Sequence, residues 1–256
     1  MIYHTDTELL ALAAELAENA ADIIRTIRSR GFETKTKADS SPVTEADQKS
    51  EKYILDKLRT ATPNIPVIAE EEITAGIHNT AGDTYWLVDP LDGTREFAAG
   101  RDDFTVNIGL VRHGRAVLGA MALPAYHQLY TGCVGIGAWR RDAHGFHAIH
   151  ARKAPDSGLV VLASRHYAHD QRLTHYLERY PVATLSNIGS AVKFARVAEG
   201  VADLYPRLGP TMEWDTAAPQ AIVEAAGGRV TLFDDSTLLY GKTKWKNPPF
   251  ICRGII

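Results

Sequence analysis

Trp86-Leu87-Val88-Asp89-Pro90-Leu91-Asp92-Gly93-Thr94 carries an apolar run straight into two acids, and the rest of the chain is best read outward from it. Three apolar residues in succession predict the end of a buried strand, with Asp89 emerging where the strand stops. Pro90 has no N–H to give a ladder, which predicts that pairing ends there. Asp92-Gly93 is a turn dipeptide whose Gly supplies a backbone conformation other residues resist. Two carboxylates therefore leave one tight turn in one direction. Side by side, each raises the pKa of the other unless a cation lies between them. A hard divalent ion with oxygen ligands fits, and the Leu91 carbonyl can complete its set. The plainer alternative is an Asp-rich turn that caps a helix opening at Thr94.

Other acids stand at similar places. Val67-Ile68-Ala69 reads as a short buried strand running into Glu70-Glu71-Glu72, so that Glu70 sits at a strand end as Asp89 does; the acid run itself reads as a solvated loop. Thr44 followed by Asp47 resembles a capping box at the head of a helix over 45–59. Asp47 is then either a cap partner or a carboxylate aimed at the same cation. Asp215, in Trp214-Asp215-Thr216-Ala217-Ala218, opens a helix whose remaining face is small and apolar. Strand ends and helix starts are where layered α/β proteins build their sites.

The chain has 256 residues, a net charge of −3 and the composition of an ordinary globular protein. That balance argues against a partner that is a nucleic-acid polymer, since no basic face or tail is visible. Cys133 and Cys252 form no metal or redox motif, and a reduced setting is expected. No apolar run approaches the roughly 20 residues that span a bilayer. The expected location is the cytoplasm, with peripheral attachment to the inner membrane left open, and with no signal peptide.

Helical periodicity predicts a first helix over 7–28, closed by Gly31. An antiparallel meander is expected from 104 to 140. Strand 159–163, helix 170–179, helix 190–200, strand 202–205, a helix from 213 or 214 to 226, and strand 229–233 then alternate, which implies an α/β layer. A boundary between 140 and 158 divides the chain into 1–145 and 146–256. His144, His147 and His150 recur every third residue without a helix to align them, and read as surface residues.

Taken in order, the remote Asp47, Glu70-Glu71, Asp89-Pro90-Leu91-Asp92-Gly93-Thr94 and Trp214-Asp215-Thr216-Ala217-Ala218 resemble the lithium-sensitive, magnesium-dependent phosphatase superfamily typified by inositol monophosphatase. Within it, the stretches 41–47, 85–97, 104–108 and 204–207 look most like the bacterial 3'(2'),5'-bisphosphate nucleotidases. The resemblance implies a layered αβαβα sugar-phosphatase-like fold, α/β with an α+β N-terminal part. It implies Mg2+ held by Glu70, Asp89, Asp92, Asp215 and the Leu91 carbonyl, with Asp47 helping through a more weakly held ion. Glu70 and Thr94 would orient the attacking water, and the Gly93 and Thr94 amides would take phosphate oxygens. Gly189, Ser190, Lys193 and Arg207 would contact a small phosphorylated nucleotide. The implied reaction removes the 3'-phosphate of 3'-phosphoadenosine 5'-phosphate, with its sulfated parent left open as a second substrate, in a role tied to sulfur metabolism. An inositol or sugar monophosphatase with the same metal site, and a non-catalytic nucleotide or metal sensor, are the alternatives. Monomer and homodimer both stay open. Two departures stand out: Pro219 occupies a position where the family has Gly, and Ser164-Arg165-His166-Tyr167 is one place out of step with the Ser-Arg-Ser-His of the nucleotidases, which leaves the role of His166 open.

Overall fold

A computed structural model of the chain describes residues 5–36, 42–77, 79–165 and 170–255. The first helix, α1 (Asp6–Arg30), begins with a capping box between Thr5 and Glu8 and stops at Gly31, whose φ of 82° suits glycine. Its stripe of Leu9, Leu12, Leu16, Ile24 and Ile27 is buried. After the ribbon β1 (Thr34–Thr36) and β2 (Pro42–Thr44) comes α2 (Glu45–Ala61), which also carries a capping box, between Thr44 and Asp47.

The strands β3 (Val67–Ala69), β4 (Thr84–Asp92), β5 (Thr105–Arg112), β6 (Arg115–Leu123), β7 (Gln128–Cys133), β8 (Gly137–Asp142) and β9 (Gly145–Ala148) lie side by side in that order in one sheet. Only the β3–β4 pair is parallel. Two short helices, α3 (Glu70–Thr74) and α4 (Thr94–Ala98), leave the ends of β3 and β4. The second sheet is built from β10 (Leu159–Ser164), β11 (Val182–Ile188), β12 (Leu204–Arg207), β13 (Arg229–Thr231) and β14 (Phe250–Arg253), ordered β11-β10-β12-β14-β13. Three more helices complete it: α5 (Gln171–Leu177), α6 (Val192–Ala198) and α7 (Ala217–Ala225).

Apolar cores fill the spaces between five layers. The stripes of α1 and α2 close over one face of the larger sheet through Leu16, Ile54, Trp86 and Ile108. Between the sheets lie α6 and α7, packed on Met121 and Tyr130 from one side and on Tyr205, Val230 and Phe250 from the other. Outside the smaller sheet, Leu173 and Tyr176 of α5 cover Val161 and Leu204. The result is the expected αβαβα sandwich, each layer present because its neighbour has an apolar face to bury.

The approach of α7 to the larger sheet is unusually close. A Cβ on Gly109 would lie 2.5 Å from the Ala218 nitrogen, one on Gly119 2.4 Å from the Ala218 Cα, and one on Gly132 2.6 Å from the Ile222 Cα. Three adjacent strands thus present glycine where the helix backbone rests.

Four local expectations need correction. Pairing does not end at Pro90: β4 continues to Asp92, because a bulge between Asp89 and Asp92 takes the proline out of the ladder. The acid run is the first turn of α3 and not a loop. The last helix starts at Ala217, after a hydrogen-bonded turn in which Thr216 and Ala217 both donate to the Glu213 carbonyl. Pro219 then falls in its first turn, where the missing N–H has no helical partner to lose. The strands β1, β2, β9, β11 and β14 were not anticipated; β11 is an exposed edge without a buried face to give it a pattern.

Candidate active site

The bulge is what makes the acidic turn work. Asp89 faces Asn107 across the ladder and Asp92 faces Thr105, so three steps along β4 match two along β5. Side chains two apart on β5 share a face, so both aspartates do as well, although residues three apart in a regular strand would not. Gly93 follows with φ 95°, and a Cβ there would meet the Asp103 carbonyl at 2.8 Å. Only glycine turns the chain in that space, and it delivers Thr94 to the start of α4.

A cavity of about 360 Å³ lies beside this turn. Its lining brings together Glu70, Asp89, Asp92, Gly93, Thr94, Gly189, Ser190, Lys193, Arg207 and Asp215. Residues distant in sequence thus converge as expected. Asp47 and Leu91 do not line the cavity. Both contact Thr94, whose hydroxyl lies 2.8 Å from Asp47 Oδ1 and 3.1 Å from the Leu91 carbonyl. The other oxygen of Asp47 accepts the Thr44 N–H and hydroxyl, so one buried carboxylate serves both as cap and as partner to Thr94. His166 falls outside the described residues.

Each aspartate of the cluster has one oxygen fixed by a backbone N–H. Asp89 Oδ1 accepts from Leu91 at 2.9 Å, Asp92 Oδ2 from Ala191 at 2.5 Å, and Asp215 Oδ2 from Met212 at 2.9 Å. Burial, and then repulsion from Glu70, Asp92 and Asp215, pushes the Asp89 carboxyl well above the usual carboxylate range. Asp215 is raised by burial, then by Asp92 and Glu70. Among the described residues, no three His, Cys, Asp or Glu side chains already stand as a finished cation-holding group. They do form a donor set that is all oxygen, pre-anchored and strained by its own charge. The chemistry of that set fits a hard divalent cation. A buried amide nitrogen on Asn107, opposite Asp89, also lacks a hydrogen-bond partner among the described residues.

The far wall comes from the second half of the chain. Lys193 is fully buried, donates to the Ile188 carbonyl at 2.9 Å and the Ser190 carbonyl at 2.5 Å, and stands 4.9 Å from the centre of the Tyr205 ring. It is therefore no solvated helix lysine. Burial, then the positive charge of Arg207, pushes its ammonium down to about 7. The loop it holds carries Ser190 at φ 54°. Arg207 donates to the Gly209 and Pro210 carbonyls, which sets its guanidinium at the cavity wall. Sequence reasoning missed Glu51, whose carboxylate holds the first turn of α3; its spacing of four from Asp47 was the available signal.

The layered αβαβα sandwich thus carries these acids on one cavity. The chain matches the inositol monophosphatase family over residues 5–249, and it belongs to that family. It is 42% identical over 245 residues to the 3'(2'),5'-bisphosphate nucleotidase CysQ of Salmonella typhimurium, covering 94% of this chain and 98% of that one. The crystal structure of CysQ from Bacteroides thetaiotaomicron superposes with a TM-score of 0.81 at 32% identity, covering 96% of this chain and 97% of that one. An inositol monophosphatase from Zymomonas mobilis gives a TM-score of 0.81 at 25% identity, over 98% of this chain and 94% of that one. Among the described residues no helix is long and apolar enough to cross a membrane.

Proposed function

We propose that this chain hydrolyses the 3'-phosphate of 3'-phosphoadenosine 5'-phosphate to give AMP and phosphate, accepts the sulfated parent nucleotide as well, depends on Mg2+ and is inhibited by Li+. The observation that carries the reading is the convergence of Glu70, Asp89, Asp92 and Asp215 with Thr94 and Arg207 on one cavity. The likeness to the CysQ nucleotidase over nearly the whole chain supports the nucleotide as substrate.

Mg2+ would be held by Glu70, Asp89, Asp92, Asp215 and the Leu91 carbonyl; when bound it supplies neutralisation of the phosphate and a more acidic water. The protein's own contribution is positional. Thr94 Oγ, with its proton drawn to Asp47, turns an acceptor lone pair towards a water, and Glu70 takes the other side of that water. Glycine at 93 lets a phosphate oxygen reach the backbone amides of Gly93 and Thr94. Arg207 suits a second phosphate because guanidinium binds phosphate through paired N–H groups. Lys193 keeps Gly189 and Ser190 in place against the nucleotide. In this division of labour residues 1–145 supply most metal ligands, and residues 146–256 supply Asp215 and the nucleotide contacts.

The test is phosphate release with Mg2+ from 3'-phosphoadenosine 5'-phosphate and from inositol 1-phosphate, with and without Li+. The nucleotide should be preferred, Li+ should inhibit, and Arg207→Ala should remove the preference. Faster turnover of inositol 1-phosphate would keep the family and overturn the substrate. No release from either would leave a nucleotide or metal sensor.

A further inference from the structure

Glu51 is a buried acid with no task in the proposed catalysis. Glu51, 5% exposed, lies four residues after Asp47 on α2, so the two carboxylates share one face of that helix one turn apart. Asp47 reaches Thr94; Glu51 reaches α3. Its Oε2 accepts the Glu71 N–H at 2.8 Å and its Oε1 the Glu72 N–H at 3.0 Å. These first-turn donors have no acceptor within their own helix, and Ala69, the residue before it, offers no side-chain cap. Further along α2, Arg59 binds the Glu72 carboxylate at 2.7 Å, and Asn79 ties the same carboxylate to the Val67 carbonyl.

We infer that Glu51 is a positioning residue: by holding the Glu71 and Glu72 N–H groups it fixes Glu70, the residue that opens α3, at the cavity. The inference rests on the proposed role of Glu70 as metal ligand and water-orienting acid. One face of α2 then sets both groups placed beside the water, Thr94 through Asp47 and Glu70 through Glu51. Their separation follows the pitch of a single helix.

Glu51→Gln keeps the volume but has one accepting oxygen for two N–H groups; Glu51→Ala has none. Leu16→Ala, a core truncation on α1 remote from α3, controls for lost stability. Three readouts decide the matter. Hydrogen exchange at the Glu71 and Glu72 amides should speed up in both Glu51 variants and stay unchanged in Leu16→Ala. The Mg2+ concentration giving half the thermal-shift response should rise about tenfold, the scale of lost support to a metal ligand. For the nucleotide, kcat should fall by about 10²-fold, as for a misplaced catalytic group, with KM little changed. Should Glu51→Ala fail to fold, Glu51→Gln alone decides. An active wild type, with Glu51→Gln unmoved in Mg2+ midpoint and kcat, overturns the inference while sparing the function. A wild type that releases no phosphate overturns both.

Discussion

Asp92 Oδ2 accepts the backbone N–H of Ala191 at 2.5 Å, joining the turn of β4 to a loop 99 residues further on. Next to this bond, a Cβ on Gly93 would lie 3.0 Å from the Cβ of Ser190. The acidic turn and the expected nucleotide loop are therefore one assembly. Asp92→Asn retains an oxygen for the Ala191 N–H but loses the charge; Asp92→Ala loses both. Each variant should lose on the order of 10³-fold in kcat, the several kcal/mol that a metal ligand contributes to charge stabilisation. Only Asp92→Ala should free the Ala191 amide to exchange with deuterium. Retained turnover in Asp92→Asn would remove Asp92 from the ligand set.

Thr94 bears its hydroxyl between Asp47 and the Leu91 carbonyl, an arrangement that a methyl cannot copy. Thr94→Val should lower kcat by about 10²- to 10³-fold, the range for a positioned proton-transfer group, with a small change in KM. Thr94→Ser restores the hydroxyl and should stay within about tenfold of wild type. Steady-state kinetics on the three proteins decides this, and equal loss in Ser and Val would point to packing instead.

The buried acids give stability without metal a definite pH dependence. Asp89 and Asp215 are raised above the ordinary carboxylate value, and Glu51 is pushed up to about 8, chiefly by burial. The native chain thus keeps protons that the unfolded chain releases near pH 4. The corresponding stabilisation is full below that pH and is lost as pH rises through the raised values. In EDTA, Tm should fall between pH 5 and pH 8, by an amount on the order of a few kcal/mol in stability. Asp89→Asn should flatten part of the fall. Mg2+ should raise Tm more at pH 8 than at pH 5, because protons compete for the same oxygens. A melt that is flat or rising in EDTA contradicts the electrostatic account.

Gly119 illustrates a different constraint. Gly119→Ala would put a methyl 2.4 Å from both the Cα and the carbonyl oxygen of Ala218, with only backbone there to yield. We expect a loss of about 3 kcal/mol or more, at the upper end for overpacking. Activity should fall too, because the displaced helix follows directly on Asp215 and Thr216. Thermal melts and phosphate release measure the two effects.

Much of this was legible in the sequence because it is local. The stripe of α1, the turn at Asp92-Gly93 and the strand before Glu70 are patterns of neighbouring residues, and the family motif linked the acids into one site. What escaped reading depends on partners far along the chain. Pro90 truly cannot join a ladder, but a bulge needs a facing strand, so its effect on Asp89 and Asp92 could be seen only with β5 in place. Lys193 looks like any helical lysine until the Ile188 and Ser190 carbonyls and the Tyr205 ring enclose it. Asp47 was weighed as either a cap or a site residue; one of its oxygens caps α2 and the other accepts the Thr94 hydroxyl. The edge strand β11 has no buried face, hence no alternation to read.

The seat of α7 on Gly109, Gly119 and Gly132 has a mechanical consequence. Elsewhere between layers, side chains can change rotamer and let a helix drift by fractions of an ångström. Here main chain rests on main chain, with only the short Ala217 and Ala225 methyls beside it. Asp215 leads into α7 and Asp89 lies on β4 of the sheet that α7 rests on, so this seat helps set the gap between them. A homologue with alanine at any of the three positions would need a differently seated helix to keep the same gap.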